Sequence, residues 1–277
     1  MRKNGGIALA IAITALGIAA GVLRYFELTK GLEQGMVGGS ALIPATRGVT
    51  IGGCLLAALG SLALNARKGS YSALYGSGLP KTIMVLAGFL FLAAAALGIA
   101  VNGVTNMMRM ILSAFSAFCG GTMILSVGSE KQGEQELTEK EQSDKNSSFV
   151  FTVFPVFFFG FLLVALYVFH ANDAVLEHYA YNIVAGVAAV AATGCVSSIA
   201  FGEGKPRLAL AVSCIALFLA VMVTVGNIAS GGDMQVAAIF GAAAVWSFGS
   251  VCAMSMGDDV SEAEAPETAE DAPAEEK

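Results

Sequence analysis

Long apolar runs alternate with short polar interruptions along most of this chain. Eight of the runs meet or approach the ~20 residues that a helix needs to cross ~30 Å of hydrocarbon. They are Gly5 to Leu23, Gly48 to Asn65, Thr82 to Val101, Met107 to Val127, Phe149 to Phe169, Tyr181 to Ala200, Leu208 to Gly226 and Val236 to Met254. Runs of this length satisfy their own backbone hydrogen bonds as helices, whereas barrel strands would read as ~10-residue alternating segments. The pattern therefore predicts an all-α, polytopic transmembrane helical bundle of about eight spans. The connections Asn102 to Asn106 and Asn227 to Gln235 are the shortest, which pairs spans three with four and seven with eight as hairpins.

Two polar stretches divide the chain. Residues 128–148, rich in Glu, Gln, Lys and Ser, read as a disordered cytoplasmic linker between a transmembrane half at 1–127 and a second at 149–256. Residues 257–277, built from Glu, Ala, Pro and Asp, read as a disordered acidic cytoplasmic tail. The halves look like tandem copies. Leu59 to Gly69 parallels Thr193 to Lys205, Asn102 parallels Asn227, and Phe115 to Ser126 lies against Ala244 to Ser255. Four spans per copy would leave both copies in one orientation, as in parallel-repeat transporters.

Composition agrees with a lipid solvent. The chain is 56% hydrophobic and 13% charged, with mean hydropathy +0.73, against about half and a quarter in soluble domains. The net charge of -6 describes the tail, since nine of the 21 acidic residues fall between Asp258 and Glu276. No acidic residue falls inside the eight runs, and Arg109 is the one basic residue that does. With the N-terminus inside, eleven of the 15 basic residues are cytoplasmic, and Arg24, Lys30, Arg47 and Arg109 are the four outside. That asymmetry predicts cytoplasmic N- and C-termini in a multi-pass cell-membrane protein. Short loops and the lack of an organelle-targeting segment point to a bacterial cell membrane. The first run carries signal-peptide cues at Arg2, Lys3, Ala19 and Ala20, but it exceeds the roughly 7 to 15 residues of a signal core and is read as an anchor.

Few residues offer chemistry. Arg109, as an intramembrane charge, is the first candidate for ligand binding, with snorkelling to headgroups as the plainer role. Asn102 and Asn227 join it as ligand-binding candidates at equivalent outer ends, alongside capping roles for Asn106, Asn182 and Gln235. His170 and His178 share an outer loop with Asp173 and Glu177, the sole metal or proton-sensing candidate, although their spacing defines no ligand set. The five cysteines lie in apolar runs and read as packing residues rather than disulfides or metal ligands. Gly76, Gly78 and Lys81 lack the spacing of a phosphate loop, so no cofactor is expected.

Small residues at four-residue spacing predict close helix packing: Gly17 with Gly21, Ser113 with Ala117 and Gly121, and Ala185 with Ala189 and Thr193. The phenylalanines around Pro155 in the fifth run predict a lipid-facing surface, and the tyrosines at span ends predict headgroup-level anchors.

No run supplies His, Asp or Glu, so enzyme activity is not expected. Nucleic-acid binding is not expected either, because no loop presents a basic patch with interleaved aromatics. The expected function is a non-catalytic membrane subunit or scaffold binding membrane lipid or another membrane protein. The alternative is a permease or facilitator for an uncharged or amphiphilic small molecule, which would gather Ser113, Ser116, Thr122, Ser197, Ser198, Ser213, Thr224 and Ser247 around a central cavity.

Overall fold

The structure, a computed structural model, describes residues 5–31, 41–64, 66–67, 71–76, 78–103, 106–128, 139–171 and 179–255. Among them the secondary structure is helical. The elements are α1 (Gly5–Phe26) continued by a π-helical turn (Glu27–Gly31), α2 (Leu42–Leu62), the short α3 (Tyr71–Tyr75), α4 (Gly78–Asn102), α5 (Met107–Gly128), α6 (Glu139–Phe169), α7 (Ala180–Ala200), α8 (Pro206–Ala229) and α9 (Met234–Ser255). Eight of these helices are long and apolar enough to cross a membrane, and the chain is an integral membrane protein.

Polar side chains inside the helices bond back to their own backbone. Thr14, Thr50, Thr193 and Thr224 donate to the carbonyls of Ala10, Thr46, Ala189 and Ala220 at 2.7–2.8 Å. Each hydroxyl thereby avoids being stranded in hydrocarbon.

The core lies on α8 and α9. Ala216 to Val223 are buried without interruption, so every face of α8 is covered, as an all-round apolar helix requires. α8 packs against α1, α2, α7 and α9, while α9 also packs on α4. The predicted hairpins α4–α5 and α8–α9 are adjacent pairs. The two halves thus interleave, with α1 and α2 lying on α8. α4, the counterpart of α8 in a duplicated chain, has fewer helix neighbours than α8.

α2 is built inside out. Its buried stripe is Ile43, Thr46, Thr50, Gly53, Ala57 and Ser61, while Leu55, Leu56, Leu59 and Leu62 are exposed. Small and polar groups pack inward and leucines face outward, since lipid is as apolar as leucine. The Gly17 and Gly21 stripe behaves as predicted: methyls at these positions would stand 2.9 and 2.6 Å from Cβ of Val221 and Val225 on α8. In α5 the prediction misses by one residue. Gly121 faces open space, and Gly120 packs instead, where a methyl would meet the Gly88 carbonyl of α4.

Three further expectations are corrected. Phe158 and Phe159 are fully buried, with Phe91 of α4 edge-on to both rings at 5.6 and 6.0 Å. Phe115 stacks on Phe161 at 4.8 Å. The phenylalanines of α6 therefore fill the seam with α4 and α5, and Phe157 is exposed. Aromatic edge-to-face pairs favour this burial over lipid contact. Tyr71 and Tyr75 are buried and stacked at 4.6 Å rather than anchored at headgroups. Burial raises the Tyr75 hydroxyl pKa above its ordinary range. Finally, α6 begins at Glu139, so residues 139–148 are helical where composition predicts a linker. Glu, Lys and Gln are good helix formers, and the apolar segment behind them supplies the costly nucleus. Residues 129–138 and the tail 256–277 lie outside the described residues.

Candidate functional site

Polar groups gather at one end of the bundle, where α1, α4, α6 and α8 finish and α2, α5, α7 and α9 begin. Two turns set their positions. Gly103 (φ 64°) ends α4 and Gly231 (φ 67°) ends α8, each in the left-handed region that glycine adopts without a Cβ clash. The N–H of Gly232 then donates to the Asn227 carbonyl at 2.8 Å, which turns the chain toward Asp233. Asp233 caps α9, its Oδ1 accepting from the backbone N–H of Gln235 and Val236 at 3.0 and 3.2 Å.

The capping carboxylate also binds Arg109. Arg109 Nη1 donates to Asp233 Oδ2 at 2.6 Å, with both side chains 21% exposed. The guanidinium lies 4.5 Å above the Phe169 ring of α6, a cation–π contact. Arg109 thus ties α5 to α6 and to the α8–α9 turn. Gln235, fully buried, extends the tie. Its Nε2 donates to Ser113 Oγ at 2.9 Å and to the Arg109 carbonyl at 3.3 Å, and its Oε1 accepts from Asn102 Nδ2 at 3.2 Å. Asn102 also donates to the Gly98 carbonyl at 3.0 Å. Two of the predicted site residues, Arg109 and Asn102, are thus joined through Gln235.

A second charged pair stands at the end of α1. Arg24 Nη1 lies 2.8 Å from Glu27 Oε2, with side chains 5% and 0% exposed. Arg24 also covers the Tyr181 ring of α7 at 4.5 Å. Beyond this ion pair, neither Glu27 oxygen has a hydrogen-bond partner among the described residues. The expectation that no span carries an acid is corrected here, because the first crossing runs from Gly5 to Lys30 and includes Glu27. Two opposite charges at i, i+3 share one helix face, so the helix continues through them instead of ending at the first charge. The π-helical turn that holds Glu27 is a geometry often associated with functional sites.

Between the two charged pairs lies a cavity of about 290 Å³ lined by Thr29, His170, Asn182, Asn227, Ser230 and Asp233, with Leu28 and Gly232. Asn227 Nδ2 donates to Asn182 Oδ1 at 3.5 Å across α8 and α7. His170 stacks parallel on Tyr179 at 4.8 Å. His178, with Asp173 and Glu177, lies outside the described residues, and no group of three metal-ligating side chains occurs among the described ones. Arg109 and Asn227 thus belong to one site, linked by Asp233 on the cavity wall, and Asn102 supports it from behind.

Fold and site define an eight-helix integral membrane protein with a polar, charge-paired end. Comparison with protein-family models, with curated proteins and with solved structures finds no match.

Proposed function

We propose that the protein is a non-catalytic membrane subunit or scaffold that binds membrane lipid or another membrane protein. The observation that carries this reading is how the interior hydroxyls are spent. Ser113 donates to the Arg109 carbonyl, Ser116 to Phe91, Thr122 to Cys119, Ser197 to Thr152, Ser198 to Cys195 and Thr224 to Ala220. Ser213 and Ser247 are buried. Phe91, Phe158, Phe159, Phe218 and Phe240, all fully buried, fill the space between these helices. Six of the eight hydroxyls that a transport path would gather are bonded to backbone and the helices are packed with rings, while Ser213 Oγ is buried without a partner among the described residues, so the interior reads as closed.

A permease or facilitator for an uncharged or amphiphilic small molecule is the second reading. The end cavity and the buried Glu27 favour it, because transport sites often hold intramembrane acids. Solute flux into vesicles separates the two: a scaffold leaves flux at the level of empty vesicles, and a facilitator raises it.

Cytoplasmic termini, residence in a bacterial cell membrane and descent from a tandem duplication belong to the same proposal. They are supported by the basic-residue asymmetry and by the likeness of Phe115 to Ser126 with Ala244 to Ser255. Labelling of single cysteines introduced at Lys68 and Ser230 would test the orientation, with Ser230 expected on the outer side.

A further inference from the structure

The end cavity has a chemistry of its own. Its volume of about 290 Å³ sits at the lower limit of ligand pockets, ~300 Å³, enough for one small polar group and too little for an acyl chain. Its charge is already matched: the Asp233 carboxylate accepts from Arg109 at 2.6 Å and from two backbone N–H groups. An anionic phosphate entering here would meet that carboxylate, and an ammonium would compete with the guanidinium.

Hydrogen-bonding capacity, in contrast, is unspent. Asn182 and Asn227 share a single bond at 3.5 Å, the weak limit of the range, although each amide offers two donor hydrogens and an acceptor oxygen. Asn182 is 7% exposed, on the cavity wall. Thr29 donates to the Tyr25 carbonyl at 2.9 Å, leaving its oxygen able to accept, and Ser230 makes only a long bond of 3.4 Å to the Asn227 carbonyl. Mixed donors and acceptors without uncompensated charge suit hydroxyl groups, which both give and take hydrogen bonds.

We propose that this cavity binds a small, uncharged, multiply hydroxylated group, the chemistry shared by a neutral glycolipid headgroup and a free polyol. The proposal rests on the lipid-binding reading above and narrows it.

The test uses the full chain in a detergent without a sugar headgroup, offered monoglucosyl diacylglycerol, phosphatidylethanolamine and phosphatidylglycerol of matched chains, with native mass spectrometry as the readout. Wild type should retain the glucosyl lipid about tenfold over the other two. Asn227→Leu should lose about tenfold of that retention, the loss of one to two hydrogen bonds, and the milder Asn227→Ser should lose less. Thermal unfolding of each variant confirms that it is folded. Methyl glucoside supplied alone distinguishes the sources: stabilisation by it without lipid retention assigns the site to a free polyol, and lipid retention without it assigns the site to a headgroup. Equal retention of all three lipids together with no effect of methyl glucoside, or retention unchanged in Asn227→Leu, overturns the proposal. Preferential capture of a charged lipid overturns it while leaving membrane binding intact, and absence of any bound lipid or protein together with no effect of methyl glucoside overturns both.

Discussion

The guanidinium of Arg109 lies 2.6 Å from the carboxylate of Asp233, two residues 124 positions apart in sequence. The same carboxylate caps α9, so one side chain fixes both the start of the last crossing and the position of α5. Asp233→Asn keeps a capping oxygen and removes the charge, while Asp233→Ala removes both. We expect Asp233→Ala to cost more, by the ~0.5–2 kcal/mol of a lost cap, in unfolding titrations of the detergent-solubilised protein. Equal costs for the two variants would show that the cap contributes nothing.

Arg24 and Glu27 form the more deeply buried pair. Removing one partner of a buried pair leaves the other charge desolvated and costs about 3–5 kcal/mol, whereas replacing both by apolar residues is often neutral. Glu27→Gln should therefore destabilise strongly in thermal unfolding, and Arg24→Met combined with Glu27→Leu should recover most of the loss. A double variant as unstable as the single would mean that the Arg24 guanidinium is held mainly by other contacts.

The crossings were legible in the chain because a lipid solvent forces each one to be a long apolar run. All eight begin or end within a few residues of the sequence limits, and the hairpins α4–α5 and α8–α9 follow from their short connections. Glu27 escapes the hydropathy pattern because an apolar run ends at its first charge, whereas an opposite charge three residues on lets the helix continue with the pair buried. Arg109 and Asn227 stood out as intramembrane or span-end polar residues. Their convergence on one cavity was not legible, since it depends on helix neighbours brought together from distant parts of the chain. The phenylalanines of α6 misled for the same reason: aromatic content on every face says nothing about which face a neighbour covers.

Adjacent glycines in α5 should respond in opposite ways. A methyl on Gly120 would strike the Gly88 carbonyl, whereas one on Gly121 meets nothing within 4 Å. Gly120→Ala should destabilise by about 1–3 kcal/mol, the usual cost of overpacking, and Gly121→Ala should be neutral or slightly stabilising through better helix propensity. Melting temperatures of the two variants check this directly. A harmless Gly120→Ala would mean that α4 and α5 stand further apart than described.

Ser116 and Ser197 bond across helices, to the carbonyls of Phe91 at 2.9 Å and Thr152 at 2.6 Å. Such bonds average only ~0.6 kcal/mol within membranes. Ser116→Ala and Ser197→Ala should each shift unfolding by less than about 1 kcal/mol, although both residues are buried. A larger loss would mark the hydroxyl as part of a functional polar path instead of a helix clamp.

Solute flux through purified protein in sealed vesicles reports on whether the interior is closed. Glycerol, glucose and a fluorescent amphiphile are loaded outside vesicles with and without the protein, and entry is followed over time. A closed interior gives identical entry rates in both preparations for all three solutes. Protein-dependent entry of any one of them, abolished by Asn227→Leu, would contradict it and establish the facilitator reading.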